Sequence, residues 1–254
     1  MISEDMNTDK LVWRLATPGE LNSTNEVHVL RVHLDSSSLQ SEDLTGILSA
    51  DELARVGKFR FERDQKRFIK TRGMLRMILS HYLGKHPHKL CFEYTSFGKP
   101  FLAINPGDDT ISFNVSHSGE LALYAVTRCR KIGIDIERIR DNIDIWQIAH
   151  RFFSPGEISS LERIHKKNQR GEFFQYWVRK EAFIKAMGKG ISFPMDQCDV
   201  SLIKGKILSP IKMPVESGET FSWYAQDLLP GDGYAAAIAM EGGDPDLSCW
   251  HYSL

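Results

Sequence analysis

Ile132-Gly133-Ile134-Asp135-Ile136-Glu137 alternates apolar and polar residues, and its period of two organises the reading of its neighbours. In a strand, residues i and i+2 share a face. Asp135 and Glu137 therefore point one way, and Ile134 and Ile136 pack behind them. Upstream, Ile111, Phe113 and Val115 alternate in the same way, and Ser118-Gly119 turns the chain into a run over 121–128. Leu90, Phe92 and Tyr94 form an earlier alternating run that ends at the turn Phe97-Gly98-Lys99-Pro100. The block 90–137 reads as an antiparallel meander. Before it, Phe61, Phe68, Leu75, Ile78, Leu79 and Tyr82 recur at near-helical spacing over 61–83, with Gly84 placed to end the helix. Ser49-Ala50-Asp51-Glu52 is a capping box that starts a shorter helix, and Val27 to Leu34 is a half-buried strand.

Downstream the plan repeats. Residues 143–153 are helical, and Ser154-Pro155-Gly156-Glu157 is a second capping box with proline at the first helical position. A long helix over 172–187 closes on Gly188. Short alternating runs follow at 200–202, 221–225 and 234–240. A long helix with a small antiparallel sheet, twice over, predicts an α+β fold of two similar halves, 1–138 and 139–254. The first 25 residues and the last dozen carry no usable pattern.

With 42% hydrophobic and 26% charged residues among 254, and a formal charge of −1, the chain is neither disordered, collagen-like nor coiled-coil. Its four cysteines, Cys91, Cys129, Cys198 and Cys249, show no metal-binding spacing and read as reduced thiols. The acidic start lacks an apolar signal region, and no apolar run reaches the ~18 residues of a membrane span. A cytoplasmic protein is expected. Charge is uneven: residues 55–76 hold nine basic groups (Arg55, Lys58, Arg60, Arg63, Lys66, Arg67, Lys70, Arg72, Arg76) against Glu62 and Asp64. This +7 segment suits a solvated face, a nucleic-acid patch or a phosphate site.

Three clusters can carry chemistry. Asp135 and Glu137 side by side repel unless a cation or protons compensate, and their oxygens suit Mg²⁺. An edge strand with an acidic outer face explains the same pattern. In the helix near 177–185, Trp177, Glu181 and Lys185 fall on one face at i, i+4 and i+8. A surface Glu–Lys pair is the plain alternative, but the aromatic neighbours place this face near the core. Asn114-Val115-Ser116-His117-Ser118-Gly119 ends a strand with donors for an oxyanion, and turn chemistry is the competing reading. No P-loop, dinucleotide fingerprint, HExxH or hydrolase elbow occurs.

The order of these pieces resembles a known set. Gly98-Lys99-Pro100, Asn114-Val115-Ser116-His117-Ser118, Gly133-Ile134-Asp135-Ile136-Glu137 and Trp177-Val178-Arg179-Lys180-Glu181-Ala182-Phe183-Ile184-Lys185, followed by Gly188-Lys189-Gly190, are similar to the signatures of the 4′-phosphopantetheinyl transferases. The length points to the long, pseudo-dimeric Sfp-type class, in which two halves are related by a pseudo-two-fold. The resemblance implies transfer of the phosphopantetheine arm of coenzyme A to a serine of an apo acyl, polyketide or peptidyl carrier protein, with 3′,5′-ADP as the leaving group. It implies Mg²⁺ held by Asp135, Glu137 and Glu181, and Glu181, Lys185 and His117 as catalytic groups. Coenzyme A would be bound by Arg55, Arg67, Lys99, Pro100, Ser116, His117, Asp135 and Lys185. A basic position of the family falls on Glu52, where Lys58 or Arg60 would have to substitute. The implied protein is a monomer that engages neither membrane nor nucleic acid. A nucleic-acid module built on helix 55–76 is the reading from another class. Carrier docking is expected on Arg138, Arg140, Ile143, Ile145 and Trp146, which combine cations with apolar groups.

Overall fold

The structure, a computed structural model, describes residues 11–15, 18–36, 40–103, 111–190, 193–200 and 223–252. After strands β1 (Trp13–Leu15) and β2 (Glu26–His33) come helices α1 (Ser41–Thr45), α2 (Ala50–Val56) and the 22-residue α3 (Glu62–Leu83). Strands β3 (Phe92–Tyr94), β4 (Pro100–Leu102), β5 (Ile111–Ser118), β6 (Leu121–Arg128) and β7 (Ile132–Arg138) follow. Helices α4 (Ile145–Phe152), α5 (Pro155–Arg163) and the 22-residue α6 (Lys166–Met187) precede β8 (Trp223–Leu228), β9 (Tyr234–Glu241) and β10 (Asp246–His251). The α+β class is as the sequence indicates.

The two long helices are anchored by the same device. Each ends on a glycine in the left-handed region, Gly84 (φ 60°) and Gly188 (φ 68°), a conformation that costs glycine little. Each is preceded by a capping box whose glutamate is buried. Glu52 accepts from Ser49 N (2.9 Å) and from Arg76 of α3 (2.7 Å), and Arg76 also donates to the carbonyls of Pro87 (2.7 Å) and Leu90 (3.0 Å). Glu157 accepts from Ser154 N (2.7 Å) and from Lys180 of α6 (2.8 Å), and Lys180 also donates to the carbonyls of Met195 (2.8 Å) and Cys198. In both units a buried charge pair ties a short helix, a long helix and the following 3-10 turn together.

The sheets depart from the expected meander. One five-stranded sheet runs β1-β10-β2-β6-β5, with β10 parallel to both neighbours. A second runs β7-β9-β8, all antiparallel, and β3-β4 is a separate hairpin. The meander over 90–137 is therefore corrected: β5 and β6 pair, but β7 leaves to pair with β9 through Ile134–Ile238 and Asp135–Ala237. Alternation identifies a strand without identifying its neighbour. At the other end, β10 inserts between β1 and β2. Helix α6 also begins six residues before the apolar pattern does, because Lys166–Gly171 is polar. Val200 lies outside any strand, and the remainder of the run expected at 200–202 is outside the described residues.

Four layers result. Leu30, Val32, Tyr124 and Val126 of the large sheet pack on Met74, Leu75, Ile78 and Leu79 of α3. Val29, Leu123 and Ala125 meet Ile132, Ile134, Ile136 and Ile238 between the sheets. Ala235, Ala237 and Ala239 of β9 face α6 with Phe173, Val178, Ala182 and Phe183. The period-two split of β7 thus sends its isoleucines between the sheets and Gly133, Asp135 and Glu137 to the α6 side.

Candidate functional site

The edges β5 and β7 are sewn together by side chains. Asn114 Oδ1 accepts from Ile134 N (2.9 Å), Ser116 Oγ from Ile136 N (3.4 Å) and Ser118 Oγ from Arg138 N (3.0 Å). Three polar residues at i, i+2 and i+4 satisfy three amides of an edge strand that would otherwise be left open. The same hydroxyls orient the acids: Ser116 donates to Asp135 Oδ1 (2.7 Å) and Ser118 to Glu137 Oε2 (2.8 Å). Sequence reasoning took Asn114 and Ser118 only as motif neighbours. Their shared spacing with the acidic pair is the signal that identifies the ladder.

Helix α6 closes the site from the other side. A Cβ on Gly133 would lie 2.0 Å from the Ala182 carbonyl oxygen and 2.4 Å from Ala186 N, so only glycine lets β7 approach the helix backbone this closely. That contact brings Lys185 Nζ to Asp135 Oδ1 (2.6 Å), Ser116 Oγ (3.0 Å) and the Ile134 carbonyl (3.3 Å). Val115, Ser116, His117, Asp135, Glu137, Trp177, Glu181 and Lys185 line one cleft. The two other charged side chains of this helix segment turn away: Lys180 to Glu157, and Arg179 to Asp227 (2.5 Å).

Electrostatics mark the cleft as a place where negative charge is crowded. Loss of water pushes Glu181 up, the Asp135 and Glu137 charges add to this, and Lys185 opposes it. Glu137 is also raised by burial, with Asp135 adding and Ser118 opposing. Loss of water, then the charges of Arg67 and Lys185, hold His117 below its ordinary range against a smaller pull from Asp135. Among the described residues no three His, Cys, Asp or Glu groups are gathered tightly enough to hold a cation as they stand. The donor set nonetheless suits one. Asp135 Oδ2 is buried without a hydrogen-bond partner, and two further carboxylates border the same space.

The remaining candidates separate. Arg55, Pro100 and His117 line a second cavity that shares Val115 and His117 with the acidic cleft. Arg67 lines a different groove, with Arg63, Lys66 and Lys70. Lys99 Nζ donates to the carbonyls of Ile132 (2.9 Å) and Lys185 (2.6 Å), tying the β3–β4 turn to both β7 and α6, and burial with the nearby Lys185 lowers it to about 8. Of the nine cations in 55–76, Arg72 and Arg76 are buried on Glu52, Lys66 pairs with Glu62 (2.7 Å), and Lys70 donates to the Leu34 carbonyl. The other seven are exposed or half-buried, and four of them, Arg63, Lys66, Arg67 and Lys70, share one groove. In the expected docking segment, Ile145 is buried, and Ile143 and Trp146 pack on the core, so Arg138 and Arg140 remain its exposed groups.

Comparison with known proteins agrees with this geometry. Residues 131–239 match a family model of the 4′-phosphopantetheinyl transferase superfamily, and residues 36–129 match a 4′-phosphopantetheinyl transferase N-terminal model. The chain is 38% identical to the 4′-phosphopantetheinyl transferase HetI of Nostoc sp. over 94% of its own length and 98% of that protein. It is 34% identical to a 4′-phosphopantetheinyl transferase of Bacillus subtilis over 65% of its length and 71% of the relative. It is also similar, at 29% identity over 78% of its length and 68% of the relative, to the mouse L-aminoadipate-semialdehyde dehydrogenase-phosphopantetheinyl transferase.

Proposed function

The chain belongs to the 4′-phosphopantetheinyl transferase superfamily, and from that premise we propose that it moves the phosphopantetheine arm of coenzyme A to a serine hydroxyl of an apo carrier protein. The observation that supports this reading is the single cleft in which Asp135, Glu137, Glu181, Lys185, Ser116 and His117 meet. The serine oxygen forms a bond to the phosphorus that carries the pantetheine arm. The bond from that phosphorus to the 5′-phosphate oxygen of 3′,5′-ADP breaks.

The residues have separable tasks. The serine hydroxyl must lose its proton, and Glu181, raised by desolvation and its acidic neighbours, is the group we assign as base. Lys185 supplies positive charge where the leaving phosphate gains negative charge, and Ser116 holds it in place (3.0 Å). His117 reaches both cavities and serves as a phosphate hydrogen-bond partner. We assign Asp135 and Glu137 as the groups that would hold Mg²⁺, with the Glu181 carboxylate beside them left to act as base rather than as a tight ligand; the ion when bound would neutralise the diphosphate. Arg55 and Pro100 lie where the nucleotide end of coenzyme A would extend, and Arg67 in the adjoining groove offers a further cation. We take the chain to act as a monomer, because both helix-and-sheet units lie within it. No helix among the described residues is long and apolar enough to cross a membrane.

Intact-mass measurement on a panel of apo carriers with coenzyme A and Mg²⁺ tests the reading. The expected result is a gain of roughly 340 Da on a carrier serine, the mass of a phosphopantetheine arm. No gain on fatty-acid, polyketide or peptidyl carriers would overturn it.

A further inference from the structure

Strand β7 and the end of α6 meet along the consecutive residues 132–135. Gly133 packs on the Ala182 carbonyl and Ala186 N, and the Ile134 carbonyl and Asp135 Oδ1 accept from Lys185 Nζ (3.3 and 2.6 Å). The contact at Ile132 is made through a residue from elsewhere in the chain. Lys99 Nζ donates to the Ile132 carbonyl (2.9 Å) and to the backbone carbonyl of Lys185 (2.6 Å). Lys185 is thus held to β7 at both ends, its ammonium directly and its carbonyl through Lys99. That carbonyl is among the last four of α6, which ends at Met187, where the helix carries negative dipole charge and a cation is favoured. The turn that carries Lys99 is itself fixed. Gly98 (φ 80°) donates its N–H to the Thr95 carbonyl (2.8 Å), Thr95 N donates to the Lys99 carbonyl (2.9 Å), and Lys99 N donates to Thr95 Oγ1 (3.2 Å). Phe97 of the same turn lies against Gly190 just beyond α6, where an added Cβ would be 2.7 Å from its ring. Lys99 lines neither the acidic cleft nor the cavity beside it, and borders a separate groove with Ile132.

We propose that Lys99 is a positioning residue that acts through Lys185: its ammonium clamps one carbonyl of β7 to one of α6, and so fixes where the helix delivers the Lys185 ammonium beside Asp135 and Ser116. This rests on the transferase reading, in which Lys185 meets the leaving phosphate. The amine of Lys99 is not itself a phosphate contact, because two of its three protons are spent on carbonyls and it opens onto neither cavity. Without the ammonium, both carbonyls lose a donor in a partly desolvated place, and nothing offsets their mutual repulsion. The last turn of α6 then draws back from β7 and takes Lys185 with it. A misplacement of about 1 Å at a reacting centre can cost about 10²-fold in rate, while ligand contacts made by other residues are kept.

The test is the steady-state kinetics of carrier modification by the full chain, with Lys99→Met against wild type. The kcat should fall at least about tenfold while the KM for coenzyme A stays within about twofold. In a Lys185→Ala background the same substitution should change the residual rate less than about twofold, because the group it positions is gone. The side-chain ammonium signal of Lys185 in ¹⁵N NMR, assigned by its loss in Lys185→Ala, should move or broaden in Lys99→Met. If Lys99→Met does not fold, Lys99→Gln, which keeps an uncharged donor, takes its place in each measurement. A raised KM with an unchanged kcat would make Lys99 a ligand contact, and an equal rate loss with and without Lys185 would make it a general brace. Either result overturns the proposal and leaves the transferase reading standing. If the wild type modifies no carrier, the transferase reading falls, and the NMR signal alone decides the clamp: an unmoved Lys185 signal overturns it and a moved one upholds it.

Discussion

Gly133→Ala should damage the protein more than any other single methyl group added to the acidic strand. Its Cβ would sit 2.0 Å from the Ala182 carbonyl oxygen, 2.4 Å from Ala186 N and 3.0 Å from Ala186 Cα, all backbone atoms of α6. Ordinary contact begins near 3.4 Å, so β7 and α6 must separate by on the order of 1 Å. Overpacking a rigid interior costs about 1–3 kcal/mol, and the upper end applies because no side chain can swing aside. At about 2–4 °C per kcal/mol for a chain of this size, the melting temperature should fall by roughly 6–12 °C. The same displacement opens the 2.6 Å contact between Lys185 and Asp135, and a misplacement of about 1 Å at a reacting centre can cost about 10²-fold in rate. Gly171→Ala is the control. It lies in the same helix with nothing within 4 Å of its added Cβ, and should stabilise by about 0.4–1 kcal/mol. The assays are thermal melts of the three proteins and carrier-modification rates. If Gly133→Ala melted within 1 °C of wild type and kept full activity, the close approach of β7 to α6 would not be what positions the site.

Lys180→Met should destabilise by about 3–5 kcal/mol in urea unfolding, because it strands the buried Glu157 carboxylate, and adding Glu157→Gln should recover part of the loss. If Glu157→Gln added its own full cost to that of Lys180→Met, the pair would not be coupled. Glu181→Gln should abolish carrier modification while leaving the metal-free melting temperature unchanged or higher, since it relieves repulsion with Asp135 and Glu137. Near wild-type turnover by this variant would remove Glu181 from the mechanism. Ser118→Ala should lower turnover more than coenzyme A affinity by releasing Glu137, whereas an unchanged rate would show that this carboxylate needs no orientation. Burial lowers the pKa of His28, so the unfolded chain binds the proton more readily below the ordinary histidine value. Its contribution to stability is present above pH ~6.5 and is lost on acidification toward the folded-state value. Melts from pH 7.5 down to 5.5 should therefore show a shallower decline for His28→Gln than for wild type.

Much of this protein was legible locally. Both capping boxes, both long helices with their closing glycines, and the strands around Asp135 and Ser116 follow from periods of 2 and 3.6 that the backbone imposes within a few residues. The face shared by Trp177, Glu181 and Lys185 follows from helical spacing in the same way. What the sequence left open were choices between partners. The alternation in Ile132–Arg138 suits β6 or β9 equally, and β9 wins because its alanines let α6 pack across the second sheet. The short C-terminal strand has no distinctive pattern, yet it completes the large sheet more than two hundred residues from β1. Charge behaved likewise: the +7 run reads as one surface, but Glu52 draws Arg72 and Arg76 inward and leaves only the other seven cations toward solvent. Lys99 looked free for phosphate, and the fold engages its amine on two carbonyls. Local periodicity determined the elements and most of the candidate chemistry. Only the tertiary structure decided which strands met and which charges stayed exposed, because register, burial and ion pairing depend on contacts between residues far apart in the chain.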